Sequence, residues 1–423
     1  MLQANYIRNH REEVLERLAV KNFEDTGLVA AVIELDDQRK KAQFDFDEIQ
    51  SRLNAASREI GLLMEKGRSG EADQKKAEVG QLKISLGPLG ERLAAVEKDL
   101  HDTLIRLPNL PHSSVPRGTS AAANEIVREG GTKPVLDKHR LPHWDLAKKY
   151  DLINFDLGNK VTGSGFPFYK GKGARLQRSL IQYFLDYNTG AGYVEYEAPF
   201  LVNEASAYGT GQLPDKEAQM YVVTEDKLYL IPTAEVPLTN VFRNEMIRRE
   251  DLPLKMTGYT PCFRREAGNY GKDVRGLNRV HQFDKVEIVQ LVSPENSYGV
   301  LEEMVAHVEK LLGSLELPYR VVRLCGGDMS FASALTYDFE VFSAAQEKWL
   351  EVSSVSNFEA FQSNRMKIRY KNAEGKTQLV HTLNGSSLAL PRIVAALLEN
   401  NQDAAGIRLP EPLHTYFGAA IIN

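Results

Sequence analysis

Between residues 32 and 107 apolar positions recur three and four apart in two long stretches, and few folds are compatible with that pattern. Val32, Leu35, Arg39, Ala42, Phe46, Ile49, Leu53, Ala56, Ile60 and Leu63 form the first seam. Val79, Leu82, Leu86, Leu89, Leu93, Val96, Leu100, Thr103 and Leu107 form the second. Sustained 3-4 spacing is that of a coiled coil, and the Glu65-Lys66-Gly67-Arg68-Ser69-Gly70 turn between the seams makes the helices antiparallel. The spacing predicts a helical arm over about residues 28–107, each helix running roughly 50 Å at about 1.5 Å per residue. Nothing else at this end of the chain is available to cover it, so projection into solvent is expected. Gly87-Pro88 and Gly90 fall inside the second helix, where proline lacks a donor and crowds the preceding turn. A kink is expected there, not a break, because Leu86, Leu89 and Leu93 keep their register. Over residues 28–107 there are 13 Lys and Arg against 15 Asp and Glu, so a solvated hairpin and an RNA-gripping arm are both open.

The whole chain, at 423 residues, is too long for one compact core and divides into two or three units. It has no run of eighteen apolar residues, so no membrane span is expected. The amino-terminal Met-Leu-Gln-Ala-Asn-Tyr-Ile-Arg has neither signal-peptide nor transit-peptide character. The two cysteines, Cys262 and Cys325, lack a second Cys or His at ligand spacing. They read as buried free thiols of a reducing, cytoplasmic protein, and no zinc is expected. A net charge of −5 assigns any RNA contact to local patches.

A short amphipathic helix is expected over 5–20. After the arm, Leu107-Pro108-Asn109-Leu110-Pro111 opens a linker over 108–124, and a second domain is expected over 125–423. There the patterning predicts strands at 125–135, 192–201, 221–231, 258–264, 280–291, 319–325, 337–342, 350–355 and 378–384. Helices are expected from Trp144 and over 172–187, 235–248, 294–314, 357–364 and 386–400. Few helices separate consecutive strands, so the fold class is α+β with a mostly antiparallel sheet flanked by helices.

Four constellations in this second domain carry chemistry. Arg264, Arg265 and Glu266 close one apolar run; a Gly-rich basic excursion follows, and Arg279 stands four residues before Phe283. Two strands joined by a long loop would bring guanidinium forks, a carboxylate and an aromatic ring to one sheet face, which suits a triphosphate and a flat base. At Ile231-Pro232-Thr233-Ala234-Glu235-Val236-Pro237, a strand-to-helix junction, Thr233 suits an N-cap and Glu235 a substrate ammonium. In Trp349-Leu350-Glu351-Val352-Ser353-Ser354, alternation places Glu351 and Ser353 on one face and Val352 and Ser354 on the other; a carboxylate and a hydroxyl beside phosphates suit Mg²⁺. Finally, Leu383-Asn384-Gly385-Ser386-Ser387-Leu388-Ala389-Leu390-Pro391-Arg392 runs from a strand into a helix, with Arg392 expected about two turns in. Each alone also has a plain structural reading: a charged hairpin, a capped helix, a polar strand end, a capping turn.

As a set they resemble the seryl-tRNA synthetases, a class II synthetase family, over essentially the whole chain. The helical arm comes first, motif 1 ends at Pro199, Arg264–Phe283 is similar to motif 2, and Asn384–Arg392 is similar to motif 3. Thr233-Ala234-Glu235, Gly211-Gln212-Leu213-Pro214 and Glu351-Val352-Ser353-Ser354 also resemble the family. Pro391, where a small residue is more usual, and Gly87-Pro88 depart from it, and Pro391 bears on the angle of Arg392. The resemblance implies activation of L-serine with ATP and Mg²⁺, then transfer to the 3′ end of tRNA(Ser), with tRNA(Sec) left open. It implies a homodimer as well. For ATP it implies Arg264 on the α-phosphate, with Arg265 nearby, Glu266 on the adenine amino group and Phe283 stacked on the base. Arg279 and Arg392 would grip the distal phosphates. Glu351, Val352, Ser353 and Ser354 would line the same site, Glu351 and Ser354 holding Mg²⁺. Thr233, Ala234, Glu235, Arg264, Glu287, Asn384 and Ser386 would hold serine. Two rivals are a relative that loads a carrier protein, which lacks the arm, and a non-catalytic RNA-binding paralogue, which would lose Arg264, Glu266 or Arg392.

Overall fold

The computed structural model describes residues 1–136, 140–215, 218–266 and 275–423. The chain separates into two compact units, Met1–Ala19 with Phe23–Pro108, and Val20–Asn22 with Asn109–Asn423.

In the first unit the expected helix over 5–20 is two, Ala4–Asn9 and Arg11–Val20, divided at His10, whose φ of −128° leaves the helical region. Two long helices follow, Gly27–Glu65 and Ser69–Leu104, turning through Gly67 at φ 70°. Every seam position named above is buried or half-buried, while Phe44, Leu62 and Ile84, off the seam, are exposed. The second helix continues unbroken through Pro88. Gly90 packs on the Phe46 ring across the hairpin, where a Cβ would stand at an ordinary contact distance of 3.4 Å. Arg39, the polar member of the first seam, pairs with buried Asp36 at 3.0 Å.

An eight-stranded sheet organises the second unit. Its strands are β1 (Glu125–Gly130), β2 (Val194–Glu195), β3 (Leu254–Phe263), β4 (Gln282–Val292), β5 (Tyr319–Arg323), β6 (Leu335–Ser343), β7 (Lys348–Asn357) and β8 (His381–Ala389). They lie in the order β1-β5-β6-β7-β8-β4-β3-β2, antiparallel except where the edge strand β2 runs parallel to β3. The Ser297–Ser314 helix turns Val300, Leu301, Met304, Val305, Val308, Leu311 and Leu312 into the core, the spacing of a one-sided amphipathic helix. The Leu390–Asn400 helix is apolar nearly all round and is buried accordingly.

The strand expected over 125–135 ends at Gly130, and that over 221–231 is two short strands, Val222–Val223 and Leu228–Leu230. The helix expected over 357–364 is Phe361–Met366. Three further corrections bear on the site. The helix expected over 235–248 stops at Asn240, and Asn244 at φ 68° sends the chain into a short strand, Met246–Ile247. The 192–201 strand is two pieces, because Val194–Glu195 pairs with β3 whereas Leu201–Asn203 joins a separate three-stranded sheet. The helix expected from 386 begins at Leu390: residues 384–386 stay in β8, where both β4 and β7 hold the ladder. Arg392 therefore lies in the first helical turn. Pro391 fits there because a first-turn residue needs no intrahelical donor.

Candidate active site

The β3–β4 hairpin exists as patterned, with Phe283 opposite Cys262 and the Arg264 N–H donating to His281 O at 2.9 Å. Residues 267–274, the middle of the Gly-rich excursion, lie outside the described residues. The Arg264 guanidinium sits 5.3 Å from the centre of the Phe283 ring, so cation and stacking surface share one place. Arg279 returns from the excursion to pair with Glu266. From motif 3, Arg392 donates through Nε to Asn278 O at 2.9 Å and through an Nη to Glu351 O at 2.7 Å. Three sets of contacts thus meet along neighbouring stretches of chain: Arg264 with Phe283, Arg279 with Glu266, and Arg392 with Asn278 O and Glu351 O.

The alternation expected in β7 fails at one residue. Glu351 faces Glu340 of β6 and Ser353 faces Phe339, so Val352 is the extra residue of a β-bulge. Beyond it Ser354 faces Asp338, and Glu351 and Ser354 come to the same side of the sheet. Ser354 Oγ donates to Asp338 there, and burial followed by the nearby Glu351 charge raises the Asp338 carboxyl well above its ordinary value. Val352 instead packs in the core, and Ser353 Oγ donates to Ser386 O at 2.6 Å, both on the opposite side.

At the other end lies a buried polar cluster. Thr233 Oγ donates to Glu287 Oε2 at 2.9 Å and accepts from Lys285 Nζ at 2.9 Å, while Lys285 and Glu287 are themselves an ion pair. Thr233 is not the N-cap, which is Ala234, but its hydroxyl does accept the Glu235 N–H at 3.2 Å. Glu235 takes a hydrogen bond from Gln362 Nε2 at 2.6 Å. Burial first, then the Glu287 charge, pushes its carboxyl up to about 7. Ser386 lies across the ladder from Glu287, and Asn384, two residues along β8, keeps a buried Nδ2 without a protein partner.

Of the residues expected here, Ala234 buries its methyl in an apolar cluster with Leu238. Arg265 turns to the Gln219–Tyr221 side, its N–H on Gln219 O at 2.9 Å. Sequence reasoning missed Lys285, although its alternation with Phe283 and Glu287 along β4 is visible in the sequence. It also missed Gln362, whose contact with Glu235 spans 127 positions and leaves no local signal.

Residues 1–111 match the model of the seryl-tRNA synthetase N-terminal domain, and residues 221–401 match that of the class II tRNA synthetase core domain for G, H, P, S and T. A serine–tRNA ligase of Salinibacter ruber is 50% identical over 425 residues, covering 100% of this chain and 99% of that protein. The chain belongs to the serine–tRNA ligase family. Its reaction is therefore the activation of serine and the charging of tRNA(Ser). Two solved relatives agree with the fold. A seryl-tRNA synthetase of Pyrococcus horikoshii complexed with ATP is 33% identical with a TM-score of 0.89, covering 100% of this chain and 99% of that one. The cytoplasmic serine–tRNA ligase of Naegleria fowleri, in complex with AMP, is 28% identical with a TM-score of 0.85, covering 100% and 98%.

Proposed function

We propose that the two ends divide the substrates: ATP lies over Arg264, Glu266, Arg279, Phe283 and Arg392, and serine lies among Thr233, Glu235, Lys285, Glu287, Asn384 and Ser386. Arg264 stands between them, where it serves the α-phosphate and the serine carboxylate together. In-line attack of that carboxylate on the α-phosphate needs positioning and charge stabilisation, not a protein nucleophile. Glu235 takes the serine ammonium, and Glu287 with Ser386 takes its hydroxyl. The observation that carries this reading is the contact of the Arg264 guanidinium with the Phe283 ring, at 5.3 Å, together with the hydrogen bond from Arg392 Nε to Asn278 O on the segment that returns toward Phe283.

Glu351 and Ser354 fit Mg²⁺: the Val352 bulge turns both hard oxygen donors to one side, beside Asp338 and Glu340. Bound there, the ion would neutralise charge on the phosphates. The arm is proposed to lie along tRNA(Ser) by shape and phosphate contacts, which its nearly balanced charge permits. The segment ending at Pro199 is proposed as a homodimer contact. Two buried, unpaired thiols suit the cytoplasm. The test is ATP–pyrophosphate exchange with each of the twenty amino acids, followed by charging of tRNA(Ser). Exchange driven by serine above all others supports the reading, and exchange driven equally by alanine removes it.

A further inference from the structure

Behind the guanidinium end lies a closed polar circuit that touches neither proposed substrate. It begins at Glu399, fully buried in the last turn of the helix that carries Arg392 in its first. Seven residues separate the two, about two turns, so they share one helix face. Glu399 Oε1 accepts from the His143 backbone N–H at 2.9 Å, from His143 Nδ1 at 2.7 Å and from Gln346 Nε2 at 2.9 Å. Glu399 Oε2 accepts from Ser343 Oγ. Burial alone would raise this carboxyl, but the hydrogen bonds from His143 and Ser343 hold it below its ordinary value.

From Glu399 two branches return to the site. In the first, His143 Nε2 accepts the Leu277 N–H at 2.8 Å. Nε2 is therefore unprotonated, and Nδ1 carries the proton it gives to Glu399. In the second, Gln346 Oε1 accepts from Asn278 Nδ2 at 2.9 Å, and Asn278 O receives Arg392 Nε at 2.9 Å. Leu277 and Asn278 immediately precede Arg279. The approach is close enough to dictate a glycine: Gly276 has φ 68°, and a Cβ there would come within 2.3 Å of His143 Nε2.

We infer that His143, Glu399 and Gln346 are positioning residues for ATP, fixing the Leu277–Arg279 backbone and the Arg392 guanidinium relative to each other. This rests on the assignment of Arg279 and Arg392 to the distal phosphates. Guanidiniums at the ends of long side chains bind a polyanion well only when their geometry is set in advance. The circuit does this by tying the turn that leads into β4 to both ends of the helix that carries Arg392.

Two substitutions at one position separate positioning from bulk packing. His143→Asn keeps a donor near Nδ1 toward Glu399 and removes the acceptor for Leu277. His143→Gln keeps an acceptor near Nε2 and removes the donor. In ATP–pyrophosphate exchange, His143→Asn is expected to raise KM for ATP about tenfold with KM for serine within about twofold, while His143→Gln stays within about threefold of the parent. Gln346→Met, at a half-buried site, is expected to raise KM for ATP about fivefold. Equal KM values for ATP in the two His143 variants, or serine and ATP values rising together, overturn the inference. If the His143 variants do not fold, an unchanged KM for ATP in Gln346→Met overturns it. Arg392→Ala measured alongside tells the two failures apart: no change there removes the phosphate assignment, whereas a large change there with none in the other variants removes the circuit alone.

Discussion

Ser386 lies directly across the β4–β8 ladder from Glu287, and Thr233 reaches the same carboxylate at 2.9 Å. Two hydroxyls thus flank one buried carboxylate at the proposed serine end. A buried site built to pair with a substrate hydroxyl rejects the analogue lacking it, because its own groups would be left unpaired.

Glu287→Gln should therefore erode discrimination more than turnover. The ratio of kcat/KM for serine over alanine is expected to fall by about two orders of magnitude, from an initial value of order 10⁴–10⁵. Because the ratio is taken within one variant, any loss of stability from disturbing the Lys285 pair cancels. An unchanged ratio would assign the reading of the hydroxyl to another residue.

On the proposed assignment, Arg264→Ala removes a preorganised cation from the α-phosphate. Exchange is expected to drop on the order of 10²–10³-fold. The melting temperature should hardly move, since the side chain's hydrogen bond to Pro232 O is a long one of 3.4 Å. Near-normal exchange would end the assignment.

The Glu235 carboxyl, pushed up to about 7, must be ionised to receive an ammonium. Serine binding should tighten as pH rises through about 7, with KM growing roughly tenfold per unit on the acid side. The stability term has the opposite sense. The folded value lies above the ordinary 4.5, so the folded chain holds an extra proton between the two values. That contribution is fully present below about 4.5 and is lost as pH rises through about 7. Glu235→Gln should flatten the KM profile; a flat profile in the parent protein would remove Glu235 from ammonium binding.

Removing residues 28–107 and closing the gap with a short Gly/Ser linker should leave serine-dependent exchange within about threefold and abolish charging of tRNA(Ser). The exchange chemistry is assigned to the other compact unit, which keeps its own core. Charging that survived the deletion would make the arm dispensable.

Periodicity made the arm legible almost residue by residue, since a 3-4 seam depends on local spacing alone and each named position is indeed shielded. The β3–β4 hairpin was legible for a similar reason, with two apolar runs flanking a glycine-rich excursion. What sequence could not supply came from pairing between distant strands. Alternation put Glu351 and Ser354 on opposite faces, and only the register against Asp338–Glu340 reveals otherwise. The Asn384–Ser386 stretch resembles a capping turn until β4 and β7 are seen on either side. His143 gave no signal, because its partners Leu277 and Glu399 lie 134 and 256 positions away.

One inserted residue, Val352, decides which atoms of its strand meet solvent and which meet hydrocarbon. Were the strand pleated in regular alternation instead of bulged, Glu351 and Ser354 would stand three apart on opposite faces, one of them turned to the Phe339 side; the bulge keeps both on the other side. Pairing in this strand is therefore as strict a requirement as composition: the same letters in unbroken alternation would present only one of the two oxygen donors on that side.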